Sequence, residues 1–219
     1  LTTGLTNAAQ TITLGSAADA AGVATITGNG TGVETVTVGA GFDNALTIAL
    51  ASGADNIIGS ASAAALTVTA ATASVITAAD EIRGGTGSSD AINITADNDT
   101  STGAVLGASI TGIETITIVA STTNDAMLTT VDENVTDTTG SLTVDASALT
   151  DSRAAFVFIS AEDSTATINV TSGAGADTLT TGVEKSNYNA GAANDTIIFT
   201  TAGLTSLDTV GGGDGVDIL

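Results

Sequence analysis

The sequence predicts an all-β protein, a parallel β-solenoid or β-roll in which short strands stack and turns rich in Gly and Asp connect them. Segments such as Leu66–Thr69 and Ile168–Thr171 alternate apolar and polar residues, which is typical of strands with one buried face. Clusters of Gly, Asn, Asp and Ser, which favour turns, separate these segments. Aromatic residues make up only 2% of the chain, so repeated layers of small side chains are favoured over one bulky core.

Internal repetition supports the same architecture. The segment Gly32–Val38 returns in similar form as Gly112–Ile118, which indicates a divergent duplication. Glu34 and Glu114 occupy matched positions in the two copies. We predict that both face outward and are solvated. The alternatives are that they bind calcium, or that they fix the strand register by bonding to backbone amides.

Two stretches fit the repeat less clearly. Ala61–Ala73 is rich in Ala, which favours helix, but its Thr and Val residues favour strand, and we predict strand. The polar stretch Ser121–Thr139 is predicted to leave the repeat. Since the chain contains no Pro and no visible linker, we treat residues 1–219 as one β-repeat segment of a larger chain, with an internal start and end.

The charge balance restricts the partners. There are 24 Asp and Glu residues against 3 Lys and Arg, for a formal net charge of -21, so nucleic acid and anionic membranes are poor partners. Self-repulsion would oppose compaction unless a cation neutralises the carboxylates, and calcium is the natural hard cation outside cells. No apolar run is long enough to predict a membrane-inserted segment.

The residue types also argue against catalysis. The chain has no Cys and no His, which removes thiol nucleophiles, imidazole bases and ordinary zinc sites. Paired carboxylates could serve glycoside hydrolysis, but no aromatic cluster is present to line a sugar cleft. We therefore predict that the protein is not an enzyme.

One motif carries chemistry, a Gly-rich turn followed by Asp and, two residues later, an aliphatic residue. It is best formed within residues 173–219, at Gly173–Leu179 and Gly212–Leu219. Degenerate versions occur at Gly191–Ile197, Gly39–Asp43, Gly53–Ile57 and Gly84–Asp90. Glycine lets the backbone curl so that carbonyl oxygens point inward, and Asp adds a carboxylate, which together suit calcium.

These turns resemble the RTX nonapeptide repeat. Asp177 and Asp195 are 18 residues apart, or two nonapeptides, and the resemblance implies that they stack on adjacent turns of a β-roll. It also implies calcium as the cofactor. The predicted metal-binding residues are Asp177, Asp195, Asp214, Asp217, Gly173, Gly175, Gly191 and Gly213, together with Asp43, Asp55 and Asp90 from the degenerate turns.

The Ala-, Thr- and Gly-rich strands, the repeated Gly32–Val38 type segment and the RTX-like turns are similar to those of bacterial S-layer proteins. That resemblance implies type I secretion, folding in extracellular calcium and self-assembly into a lattice on the bacterial cell surface, with cell-surface polysaccharide as a further partner. The alternatives are a spacer in an RTX-type adhesin, filament or phage fibre, and a non-catalytic part of a secreted RTX hydrolase.

Overall fold

The computed structural model describes residues 2–4, 9–28, 30–97, 100–101, 103–120, 125–135, 140–160, 167–183, 185–200 and 203–219. Its strands in the first part of the chain are β1 Thr2–Gly4, β2 Gln10–Leu14, β3 Thr25–Thr27, β4 Glu34–Val38, β5 Leu46–Leu50, β6 Asn56–Ile58, β7 Leu66–Ala70, β8 Glu81–Arg83, β9 Ala91–Thr95 and β10 Ala104–Val105. The later strands are β11 Ile110–Thr111, β12 Thr115–Val119, β13 Ala126–Thr129, β14 Ser141–Asp145, β15 Phe156–Ile159, β16 Thr167–Thr171, β17 Thr178–Thr181, β18 Lys185–Asn189, β19 Thr196–Phe199 and β20 Thr209–Gly211. The short helical pieces are α1 Ser16–Ala20 and the 3₁₀ turns Ala73–Val75 and Asp132–Asn134.

The described strands form three parallel sheets, and the chain coils from one sheet to another as a β-solenoid. The main sheet has ten strands in the order β1-β3-β5-β7-β9-β12-β14-β16-β18-β20. The N-terminal sheet has the order β11-β8-β6-β4-β2, and the C-terminal sheet has the order β10-β13-β15-β17-β19. The predicted all-β, parallel β-solenoid fold is therefore confirmed.

The second sheet changes partway along the solenoid. Up to β9, each coil pairs a main-sheet strand with one of the N-terminal sheet, and from β12 onward the partner lies in the C-terminal sheet. The coil between β9 and β12 contributes to both, through β10 and β11. β10 and β11 are the edge strands of the C-terminal and N-terminal sheets. The 3₁₀ turn Ala73–Val75 packs against β10, and the 3₁₀ turn Asp132–Asn134 packs against β11, so each of these edges is covered by an irregular segment.

Stacked aliphatic side chains fill the solenoid. Within β5, Leu46, Ile48 and Leu50 point inward while the intervening residues are partly exposed, as the two-residue period requires. The strand register then places like residues above one another. One inward column of the main sheet consists of Ile26, Ile48, Val68, Ile92, Ile116, Val144, Val170 and Tyr188.

The outer side of the main sheet carries two columns rich in Thr and Asn, which we call the threonine face. The first column is Thr25, Thr47, Thr67, Ala91, Thr115, Thr143, Asn169, Asn187 and Thr209. The second is Thr27, Ala49, Thr69, Asn93, Thr117, Asp145, Thr171, Asn189 and Gly211. Asp145 is the one charged member of either column. Neighbouring members can bond directly, since the amide of Asn187 donates to Oδ1 of Asn169 at 2.8 Å.

The structure decides both uncertain stretches. The Ala-rich stretch forms β7 and then the 3₁₀ turn Ala73–Val75, which confirms the predicted strand. The prediction that Ser121–Thr139 leaves the repeat is wrong for its described residues, because β13 pairs with β10 and β15 inside the solenoid. Ala126 and Leu128 are buried there, and these two apolar positions outweigh the polar flanks. Residues 121–124 and 136–139 of this prediction lie outside the described part.

Candidate functional site

Three of the predicted calcium aspartates form a column, the C-terminal carboxylate ladder of Asp177, Asp195 and Asp217. Asp177 and Asp195 precede β17 and β19, and Asp217 precedes Ile218, which forms an isolated bridge to Thr196. The N–H of Asp177 donates to Oδ1 of Asp195 at 2.8 Å, and the N–H of Asp195 donates to Oδ1 of Asp217 at 3.1 Å. Oδ1 of Asp177 accepts a bond of 2.6 Å from the N–H of Phe156 one coil earlier. The expected stacking of Asp177 and Asp195 on adjacent coils is present in this register.

The glycines of these turns allow close contact between coils. A Cβ placed on Gly175 would lie 1.9 Å from the carbonyl oxygen of Ala154, and one on Gly213 would lie 1.9 Å from that of Gly191. Gly191 and Gly213 also have positive φ angles of 96° and 92°. The carbonyl oxygens of Gly173 and Gly191 accept bonds from the N–H groups of Ala192 and Asp214 in the following coils. The turn glycines are therefore required by the stacking itself.

A second column, the N-terminal carboxylate ladder, consists of Glu34, Asp55 and Asp80 at the start of N-terminal sheet strands. The N–H of Glu34 donates to Oδ1 of Asp55 at 2.9 Å, and the N–H of Asp55 donates to Oδ1 of Asp80 at 2.8 Å. Oδ2 of Asp80 accepts a bond of 2.7 Å from the N–H of Thr77. Asp80 has no preceding glycines and so falls outside the glycine–aspartate motif, although it precedes Ile82 with the same spacing that separates Asp55 from Ile57.

Glu34 and Glu114 do not share one environment, and the prediction that Glu34 faces solvent is wrong. Val36 and Val38 point into the core from β4, so the two-residue period places Glu34 on the same inward face, where it is 1% exposed. Glu114 precedes β12 in the main sheet, and its Oε2 accepts a bond of 2.7 Å from the N–H of Asp90. Glu114 thus fixes register through a backbone amide, as one of the alternatives anticipated.

The remaining predicted aspartates separate into a buried one and two exposed ones. Asp90 is buried at the start of β9, where Oδ1 accepts from the N–H of Leu66 at 2.8 Å and Oδ2 accepts from the N–H of Gly85 at 2.6 Å. Asp43 and Asp214 are exposed. In the turn Gly39–Asp43, the side chain of Phe42 is fully buried and the next residue, Asp43, is exposed. The aromatic side chain, and not the carboxylate, therefore packs inside the solenoid.

Burial changes the acidity of several ladder residues. Desolvation, together with charge repulsion from Asp55, raises the pKa of Glu34 to about 7. Desolvation raises the pKa of Asp177 to about 6, against the bonds that its carboxylate accepts from Ser172 and Phe156. Desolvation likewise raises the pKa of Asp80 and Asp195. Both carboxylate oxygens of Glu34, Oδ2 of Asp55 and Oδ2 of Asp195 are buried without a hydrogen-bond partner.

Positive charge is scarce beside these ladders. Arg83 pairs with Glu81 through a contact of 2.7 Å on the outside of β8, and Arg153 and Lys185 belong to other coils. Within the described ranges, no group of three or more His, Cys, Asp or Glu side chains is arranged to hold a metal ion. A cation bound at either ladder would therefore take one or two carboxylates and complete its shell with carbonyl oxygens or water.

The fold and its two ladders define a class of protein, a parallel β-solenoid whose coils are joined by buried carboxylates bonded to backbone amides. No protein-family model, curated protein or solved structure matches the chain. Among the described helices, none combines the length and apolar character needed to cross a membrane.

Proposed function

We propose that the chain is a non-catalytic structural segment of an extracellular bacterial protein, and that it self-assembles into a surface layer in a calcium-dependent manner. The observation that carries this proposal is the threonine face. Its two columns extend over nine parallel strands and contain one charged residue, although the chain as a whole has a net charge of -21. A nearly uncharged pair of columns is the part of such a molecule that can approach a second copy without strong repulsion.

Calcium is proposed to act through the acidic remainder of the surface and the glycine–aspartate turns. Neutralising carboxylates lowers the self-repulsion of the chain, and binding to the folded state alone adds stability. The exposed Asp214 and the carbonyl oxygens of the turns at Gly191 and Gly213 remain the proposed surface ligands, whereas Gly173 is buried. Before export, low free calcium would leave the chain expanded, and extracellular calcium would favour the coiled state.

A circular dichroism titration tests the calcium step. We expect the strand signal of the purified chain to increase with calcium and to fall with excess chelator. A strand content that does not respond to chelator would refute the calcium dependence.

Negative-stain microscopy with calcium tests the assembly step. Ordered two-dimensional sheets are expected, and replacing Thr67 and Thr115 with Lys on the threonine face should prevent them. The matched control replaces Thr35 and Thr37 with Lys on the outward side of β4, which adds the same charge to a different sheet. Sheets that survive in the first variant would exclude the threonine face as the contact.

The alternative function is a spacer in an RTX-type adhesin, filament or phage fibre. A solenoid is quasi-one-dimensional, and its coils stack into a rod that can separate two ends. Isolated rods or filaments in the same micrographs, in place of sheets, would favour this alternative. The third candidate, a non-catalytic part of a secreted RTX hydrolase, would be supported by a catalytic domain in the sequence that flanks this segment.

A further inference from the structure

We propose that Glu34 and Asp55 together hold a hard divalent cation inside the N-terminal half of the solenoid, at a site distinct from the glycine–aspartate turns near Asp177. The choice of ion rests on the proposed calcium dependence. The position rests on the register of β4 and β6 and on the burial of the two carboxylates.

The register places the two side chains on adjacent coils. Thr35 pairs with Asn56 in the parallel ladder, so Glu34 and Asp55, one residue earlier in each strand, are equivalent positions. Neighbouring parallel strands lie about 4.7–4.9 Å apart. The bond of 2.9 Å from the N–H of Glu34 to Oδ1 of Asp55 fixes the second carboxylate against the backbone of the first residue.

The other carboxylate oxygens of Glu34 and Asp55 accept no hydrogen bond. Both oxygens of Glu34 and Oδ2 of Asp55 are buried without a hydrogen-bond partner, and each residue is 1% exposed. Two buried carboxylates without compensation repel each other and lose their hydration, which costs several kcal/mol per ion in proteins. A cation bound between them would offset this cost when both are ionised.

Among the described residues, no basic side chain forms an ion pair with either carboxylate. Asp80, on the next coil, adds a further carboxylate, and its oxygens already accept bonds from Asp55 and Thr77. Arg83 lies on the outside of β8, paired with Glu81. Three free carboxylate oxygens from two residues are the ligand type that calcium prefers, with carbonyls or water to complete its six to eight oxygens.

Isothermal titration with calcium on the whole chain tests the site. A pH of about 8 is suitable, because it lies above the pKa of about 7 of Glu34 and so limits competition from protons. We expect Glu34→Gln, Asp55→Asn and the double variant each to bind one calcium ion per chain fewer than the parent, with no further loss in the double variant. Both changes keep the side-chain shape, and Asn keeps an acceptor for the N–H of Glu34, so folding should survive.

The matched controls are Glu81→Gln, one coil away on the outer side of the same sheet, and Asp132→Asn, on an exposed 3₁₀ turn. Both remove one negative charge and should bind as the parent does. Equal calcium binding by the parent and by Glu34→Gln would overturn the proposal. The proposal would also be overturned if the stability of the parent and of Glu34→Gln differed with pH but not with calcium. In that case the two carboxylates would share a proton and not a metal ion.

The same experiment separates this site from the proposed assembly. Calcium bound through Glu34 and Asp55 without sheets in the microscope would support the site and reject the surface layer. Sheets formed by a Glu34→Gln chain with undiminished calcium binding would support the surface layer and reject the site.

Discussion

The N–H of Asp177 donates a hydrogen bond of 2.8 Å to Oδ1 of Asp195, its equivalent on the next coil. Both residues are buried, at 2% and 1% exposure. A residue predicted as a calcium ligand therefore has a structural role that requires no metal. Each carboxylate satisfies a backbone amide that would otherwise be left without an acceptor at the point where the chain enters a strand.

Removal of that acceptor should destabilise the solenoid. Asp195→Ala leaves the buried N–H of Asp177 without a partner, and we expect a loss of about 1–3 kcal/mol in the free energy of unfolding. Urea denaturation followed by circular dichroism measures it. The exposed Asp214→Ala should change stability by less than about 0.5 kcal/mol. Equal effects of the two substitutions would show that the ladder bond does not contribute.

Close stacking of the turns predicts a strong effect of a single methyl group. Gly175→Ala would place Cβ 1.9 Å from the carbonyl oxygen of Ala154, so the coils must separate. We expect a destabilisation of about 1–3 kcal/mol, the usual range for overpacking. Gly15→Ala is the control, because a Cβ there has no heavy atom within 4 Å. Comparable melting temperatures for the two variants would contradict the stacking.

Three of the four aromatic residues in the C-terminal half form a local cluster. The rings of Phe156 and Phe158 lie 6.2 Å apart, and those of Phe158 and Tyr188 lie 6.0 Å apart with an edge-to-face geometry. Phe158 is fully buried, so Phe158→Ala should cost about 3–5 kcal/mol of unfolding free energy. The partly exposed Phe199→Ala should cost clearly less by the same denaturant measurement. A similar loss at both positions would argue against the cluster.

Stability should fall as the pH rises in the absence of calcium. The folded state binds more protons than the unfolded state between pH 4.5 and about 7, because the pKa of Glu34 is raised over that range. Asp177 adds to the same trend between pH 3.8 and about 6. Thermal melts in chelator across this range should show a decreasing midpoint with increasing pH. Glu34→Gln should flatten the upper part of the curve, and a curve unchanged by this substitution would exclude Glu34 as its origin.

The sequence predicted several residues of the carboxylate ladders, but it did not predict what their carboxylates bind. The 18-residue interval predicted that Asp177 and Asp195 are stacked, and they are. The motif did not predict that these carboxylates accept hydrogen bonds from backbone N–H groups. A turn that binds a cation and a turn whose Asp accepts a bond from a neighbouring amide use the same residues. Asp80 lacks the glycines that define the motif, and only its spacing to the following aliphatic residue relates it to the other ladder aspartates.

The sequence by itself determined that the protein is built from short strands with small side chains inside, because its apolar residues have a two-residue period and turns are frequent. The parallel stacking was implied by the resemblance to RTX repeats, and the order of the sheets confirms it. Only the tertiary structure decided which sheet each repeat enters. Glu34 and Glu114 stand in near-identical segments, yet one is buried in the N-terminal sheet and the other bonds a backbone amide in the main sheet. The physical reason is that register and coil position, which depend on contacts between distant residues, select the partners of each carboxylate.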